Sequence, residues 1–87
     1  MTGTDLVAWN LRRLRVEQGL SQDGLALEAE VDRTYVGRLE RSIENPTITI
    51  LDKLASALGV RVSELLAEPQ PVADKPATLR AGRKPKR

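Results

Sequence analysis

Arg33, Thr34, Gly37, Arg38 and Arg41 fall on one face of a helix counted at 3.6 residues per turn, while Val36 and Leu39 fall on the other. That arrangement suits one kind of chemistry. An arginine fork donates paired hydrogen bonds to O6 and N7 of guanine, and one good pair of this kind is worth roughly 5- to 150-fold in discrimination against another base. A helix that turns guanidiniums and a hydroxyl outward therefore matches the major groove of DNA. The alternative for the same residues is a solvated helix face on which Arg38 pairs with a neighbouring acid. Other chemistries lack their reagents. The 87-residue chain has no cysteine and no histidine, so thiolate and imidazole metal sites, disulfides and the usual nucleophile–base pairs are excluded. No catalytic constellation can be assembled, and neither a metal nor a cofactor is expected.

The elements that must carry this face are two short helical patterns, Ser21 to Ala29 and Asp32 to Arg41, joined across Glu30 and Val31. Leu25, Ala29, Val31, Val36 and Leu39 are placed to form the seam between two steeply crossing helices. Ala26 lies where they approach most closely, so a larger side chain would push them apart. Ahead of this pair, Leu6, Val7, Leu11 and Leu14 give helical spacing over Asp5 to Gln18, ended by Gly19 as a left-handed cap. Ser21, Asp32 and Thr47 are suited to cap helix N-termini, since their side-chain oxygens accept hydrogen bonds from the free amides of a first turn. A fourth helix follows Asn45-Pro46 with Ile48, Leu51, Leu54, Ala55 and Leu58, and closes at Gly59. A fifth is expected near Ser63 to Ala67, with Leu65 and Leu66 turned inward. No segment alternates as a strand would. The expected architecture is all-α, a compact five-helix bundle containing a helix-turn-helix.

Length allows one small domain, in which only about 60% of the unfolded surface is buried. Residues 1 to 68 carry eight Lys/Arg against eleven Asp/Glu, net −3, and residues 69 to 87 carry six against one, net +5. The expected division is a helix-turn-helix domain over 1–68 and a flexible, Pro-rich basic tail over 69–87, which cannot bury enough to offset its ordering entropy. The end of the tail, Arg80 to Arg87, resembles an AT-hook, but Lys84 separates Arg83 from Pro85. The two readings are minor-groove contact and sequence-independent attraction to phosphates. No apolar run spans a membrane, and Met1 to Leu6 lacks the basic start and apolar stretch of a signal peptide, so a cytoplasmic, nucleoid-associated location is expected.

The stretches Gly19 to Ala26 (GLSQDGLA), Val31 to Glu40 (VDRTYVGRLE), Asn45-Pro46 and Leu54 to Val60 (LASALGV) resemble, in order and spacing, the XRE family of Cro/phage-repressor-type DNA-binding domains. The resemblance covers roughly residues 5 to 67. Two positions depart from the family pattern: Glu30 stands where a glycine is common in the turn, and Gly24 where an acidic residue is common. Neither lies on the outward face of the second helix of the pair.

That resemblance implies a lambda-repressor-like fold in which the helix over 32–41 is the recognition helix, with Arg33, Thr34 and Arg38 at base-reading positions. It implies a phosphate at Gln22, where a helix N-terminus adds free amides and partial positive charge. It further implies that Arg15 and Glu40 form an ion pair tying the first helix to the recognition helix. Arg41, Asn45 and Thr47 flank that helix and are expected on backbone phosphates. Tyr35 is expected to cover the helix pair, its hydroxyl reaching a phosphate, without reading bases. Ile43, Ile50 and Val62 exceed what the helix stripes require and suggest a subunit contact. Trp9 lies off the Val7/Leu11/Leu14 stripe, to be exposed or packed under the chain's end. The implied function is a homodimeric, sequence-specific regulator on a pseudo-palindromic operator. Alternatives are an antitoxin that also represses its own toxin–antitoxin operon, its partner a toxin; a restriction–modification controller; and, outside this class, a protein-interaction adaptor without DNA binding.

Overall fold

The computed structural model describes residues 1–69, and the expectations for the rest of the tail, including the AT-hook, lie outside them. Four α-helices run α1 Gly3–Glu17, α2 Gln22–Ala29, α3 Arg33–Glu40 and α4 Ile48–Leu58, followed by a 3-10 turn over Val62–Leu66. Each helix begins where a short polar side chain can accept from its first turn. Thr2 Oγ1 accepts from Asp5 N while the Asp5 carboxylate accepts from Thr2 N, a reciprocal box that starts α1 two residues earlier than the apolar spacing indicates. Ser21, Asp32 and Thr47 cap α2, α3 and α4 through Gly24 N, Thr34 N and Ile50 N.

All four helices end in the same way. A left-handed residue follows the last turn, its amide bonds back three residues, and the next amide bonds back five: Gly19 and Leu20, Glu30 and Val31, Ser42 and Ile43, Gly59 and Val60. Two of the four left-handed positions are glycine, as the missing Cβ favours. The other two are Glu30 at φ 59° and Ser42 at φ 62°, where an L side chain crowds the following carbonyl.

The core is one cluster: Val7, Leu11 and Leu14 from α1; Leu25, Ala26 and Ala29 from α2; Val36 and Leu39 from α3; Leu51, Leu54, Ala55 and Leu58 from α4; and Leu65 from the 3-10 turn. Val31 is only partly buried against it. Burying each leucine stabilises the fold by about 1.5–3 kcal/mol relative to exposure, so this cluster fixes the angle at which α3 leaves α2.

Three expectations need correction. The fifth element is a 3-10 turn and not an α-helix, because five residues without a side-chain cap cannot repay the cost of nucleating α-helical bonds. Its tighter winding buries Leu65 and leaves Leu66 exposed. Finally, Ile50 and Val62 are half-buried against the core, and of the three surplus apolar residues only Ile43 stands clear in solvent.

Candidate nucleic-acid interface

α3 is held from behind by a polar joint as well as by the core. Arg15 on α1 donates from Nε to Glu40 Oε2 at 2.7 Å and from Nη2 to Glu40 Oε1 at 3.0 Å, a two-point grip. Its Nη1 donates to the Leu20 carbonyl at 2.8 Å, which fixes the α1–α2 connection too. Gln22 Nε2 then donates to Glu40 Oε1 at 3.0 Å. The side chains of Arg15 and Glu40 keep only 12% and 2% exposure. Hydrogen bonding to Glu40 raises the Arg15 pKa further above its ordinary value. One carboxylate thus joins α1, α2 and α3 at the end of α3, and α3 cannot roll without breaking it.

On the outer face of α3, Arg33 is 75% exposed, with Asp23 at 3.9 Å across the α2–α3 groove. Thr34 Oγ1 donates to Asp32 Oδ1 at 2.6 Å and accepts from Arg38 Nη1 at 3.1 Å. Arg38 Nε donates to Glu44 Oε1 at 2.8 Å, and the guanidinium carbon lies 5.7 Å from the centre of the Tyr35 ring. The acid pairing weighed for Arg38 from sequence is therefore present, and the partner is Glu44 in the loop after α3. Tyr35 is half-buried against the core, and desolvation raises its phenol pKa above the ordinary value. The Asp32 carboxyl lies below its ordinary pKa, chiefly because the Thr34 hydroxyl bonds to it.

An open depression of about 500 Å³ lies between α1, α2 and α3, lined by Arg12, Gln22, Asp23, Arg33, Thr34, Gly37, Glu40 and Arg41. Arg12, Arg33 and Arg41 bring three cations to its rim, against the carboxylates of Asp23 and Glu40. The Glu40 charge is already matched by Arg15, so the rim is net cationic and opens beside the N-terminus of α2. Arg12 was not anticipated from sequence, although it sits one position off the buried Leu11 and is exposed. Gly37 forms part of the floor; a Cβ there would come within 3.3 Å of Gln22 Oε1.

The remaining anticipated residues are less closely gathered. Thr47 is committed to its capping bond, and Asn45 lines a separate, mainly apolar groove with Val7, Pro46, Ile48, Leu51 and Leu66. Trp9 is exposed and lines a pocket at the chain's exit with Asn10 and Pro69. Asn10, unnoticed in the sequence, is 2% exposed. Its Nδ2 lies within hydrogen-bond distance of the carbonyls of Leu6 at 3.0 Å, Leu65 at 3.3 Å and Ala67 at 2.8 Å, clamping α1 to the 3-10 turn.

The helix-turn-helix family pattern HTH_3 matches residues 11–65, more than half of the chain. A hypothetical transcription factor from Neisseria meningitidis is 43% identical over 65 residues, covering 75% of this chain and 61% of that protein. The chain thus spans under two thirds of that relative. The crystal structure of a hypothetical transcription factor, NHTF, from Neisseria superposes at a TM-score of 0.76 with 40% identity, covering 78% of each chain. The restriction-modification controller C.AhdI of Aeromonas hydrophila gives 0.69 at 40% identity, covering 71% of this chain and 94% of that one. The biofilm regulator SinR, solved in complex with DNA, gives 0.67 at 34% identity, covering 70% and 98%; a SinR protein of Bacillus subtilis also matches in sequence. With the family pattern running from α1 into the 3-10 turn, this chain belongs to the XRE-type helix-turn-helix family.

Proposed function

We propose that this protein is a sequence-specific, DNA-binding transcriptional regulator that works as a homodimer on a pseudo-palindromic operator, with α3 in the major groove. The observation that carries this reading is the outer face of α3. Arg33, Thr34 and Arg38 line up along it, with Arg12 and Arg41 on the flanking rim, while Glu40 anchors the helix from behind. Arg33, Thr34 and Arg38 are the base-contacting residues in this account. Gln22, Arg41, Tyr35, Asn45 and Thr47 border the backbone phosphates, and Arg12 joins them. The N-terminus of α2 contributes free amides beside that rim.

One α3 reads only a few base pairs, so specificity calls for two half-sites with centres about 34–36 Å apart. Ile43, clear in solvent at the end of α3, supplies apolar surface for the second copy. The protein acts in the cytoplasm, where its DNA lies; among the described residues no helix is long and apolar enough to cross a membrane. A narrower role as a restriction–modification controller is the second reading, since the chain is 40% identical to the controller C.AhdI against 34% to SinR over similar shares of its length. Selection from random duplex DNA, followed by footprinting on the protein's own promoter, tests the reading: a two-fold motif supports it, and no enrichment overturns it.

A further inference from the structure

Four side chains on the reading face are joined end to end. Asp32 Oδ1 accepts from the Thr34 hydroxyl, whose oxygen accepts from Arg38 Nη1; Arg38 Nε donates to Glu44 Oε1. The guanidinium is thereby held at Nε from one side and at Nη1 from the other, with the Tyr35 ring beside it. An arginine has five N–H donors. Two are used here, and the other three, one on Nη1 and both on Nη2, have no hydrogen-bond partner among the described residues. With Nε taken by Glu44, the outer Nη1/Nη2 fork is the edge left to pair with guanine O6 and N7.

Glu44 reaches Arg38 because the chain reverses sharply after α3. Ser42 takes the left-handed conformation at φ 62°, and Ile43 N bonds back to the Arg38 carbonyl itself at 3.1 Å. The loop is therefore anchored on the backbone of the residue whose side chain Glu44 holds. Glu44 is partly shielded, at 28% side-chain exposure, and its bond to Arg38 is the first cause of that guanidinium's raised pKa.

We infer that Glu44 is a positioning residue for base readout: it holds the Arg38 guanidinium so that the outer fork faces the base edge, and so sets sequence preference without touching DNA. This rests on the DNA-binding role proposed for α3. An acid so close to the phosphates lowers affinity for every duplex through like-charge repulsion, so its contribution is to discrimination and not to strength of binding.

Two substitutions separate reach from charge. Glu44→Gln keeps the length and an acceptor oxygen but loses the charge. Glu44→Asp keeps the charge but is one methylene short of a 2.8 Å contact. The full-length protein is put through selection from random duplexes, and its affinity is measured for the selected site and for a scrambled one. Glu44→Gln is expected to bind both duplexes more tightly and to keep the wild-type base preference. Glu44→Asp is expected to lose about 2- to 10-fold of preference at one position per half-site, the cost of ordering one rotamer-rich side chain at an interface. That position is the one relaxed by Arg38→Ala, and adding Glu44→Asp to Arg38→Ala should change nothing further.

If Glu44→Asp keeps the full preference while Arg38→Ala relaxes it, the positioning role is wrong and the function stands. A Glu44→Asp protein with sharper preference would show that Glu44 competes with the base for Arg38, which also overturns the inference. If the wild-type protein selects no sequence at all, the proposed function fails first. Unchanged far-ultraviolet circular dichroism and melting of both variants confirm that folding is not the cause.

Discussion

Removing the Glu40 carboxylate is the most informative single perturbation of the fold, because one group there serves three helices. Glu40→Ala leaves the Arg15 guanidinium, 12% exposed, with the Leu20 carbonyl as its remaining partner, and frees Gln22 as well. Breaking a buried ion pair by removing one partner costs about 3–5 kcal/mol. The residual exposure of Arg15 places this case near the lower end, about 3 kcal/mol. A domain of this size has about 3–10 kcal/mol in total, so the loss removes about a third of its stability or more. The joint replacement Arg15→Met with Glu40→Leu removes both charges and their desolvation penalty together, and should cost less than Glu40→Ala alone. Urea denaturation followed by circular dichroism, with fluorescence of the single Trp9 on α1 as a second probe, measures both variants. A loss below about 1 kcal/mol in Glu40→Ala, as expected of an exposed pair, would refute the anchoring role, and so would a double variant less stable than the single one.

Glu30→Gly should stabilise the protein. Relief of the left-handed strain, about 1–2 kcal/mol, less the entropy cost of glycine, about 0.5–1 kcal/mol, leaves a net gain of about 0–1.5 kcal/mol, whose centre corresponds to roughly 3–6 °C in Tm for a domain this small. Asn10→Ala strands the carbonyls of Leu65 and Ala67 and should cost about 2–3 kcal/mol, with hydrogen exchange quickening first around the 3-10 turn. Acid should destabilise the fold through Asp5, whose pKa is lowered chiefly by the Ser42 hydroxyl, and Asp32, lowered chiefly by the Thr34 hydroxyl. Both are depressed in the folded state, so their contribution is complete above the ordinary value of 3.8 and is lost as pH falls through the folded pKa. Denaturation series at several pH values check this, and Asp32→Asn should flatten the acid limb.

Local chemistry made most of the fold legible. Ser21, Asp32 and Thr47 cap helices because a short side-chain oxygen can reach its own first turn, and Gly19 and Gly59 end them because they lack a Cβ; both facts lie within four residues of sequence. The core stripes of α1, α3 and α4 were readable for the same reason. What escaped depends on distance in the chain. Asn10 reads as a polar interruption of the α1 stripe until the carbonyl of Leu65, 55 residues away, arrives beside it. Ile50 and Val62 looked like surplus apolar surface because their partners belong to other elements. Glu44 lies six residues beyond Arg38, too far for a helical pair, and meets it only because Ser42 turns the chain back. The Arg15–Glu40 joint came from family resemblance, since nothing in the spacing of two residues 25 apart requires it.

In the proposed function, the outer face of α3 reads a two-fold DNA sequence. In vitro selection with the intact protein, paired with the same selection on an Arg33→Ala and Arg38→Ala double variant, tests it most directly. The expected result is a pseudo-palindrome with half-site centres about one helical turn, 34–36 Å, apart, flattened at the same positions of each half-site in the double variant. Identical base preferences from the two proteins would contradict it.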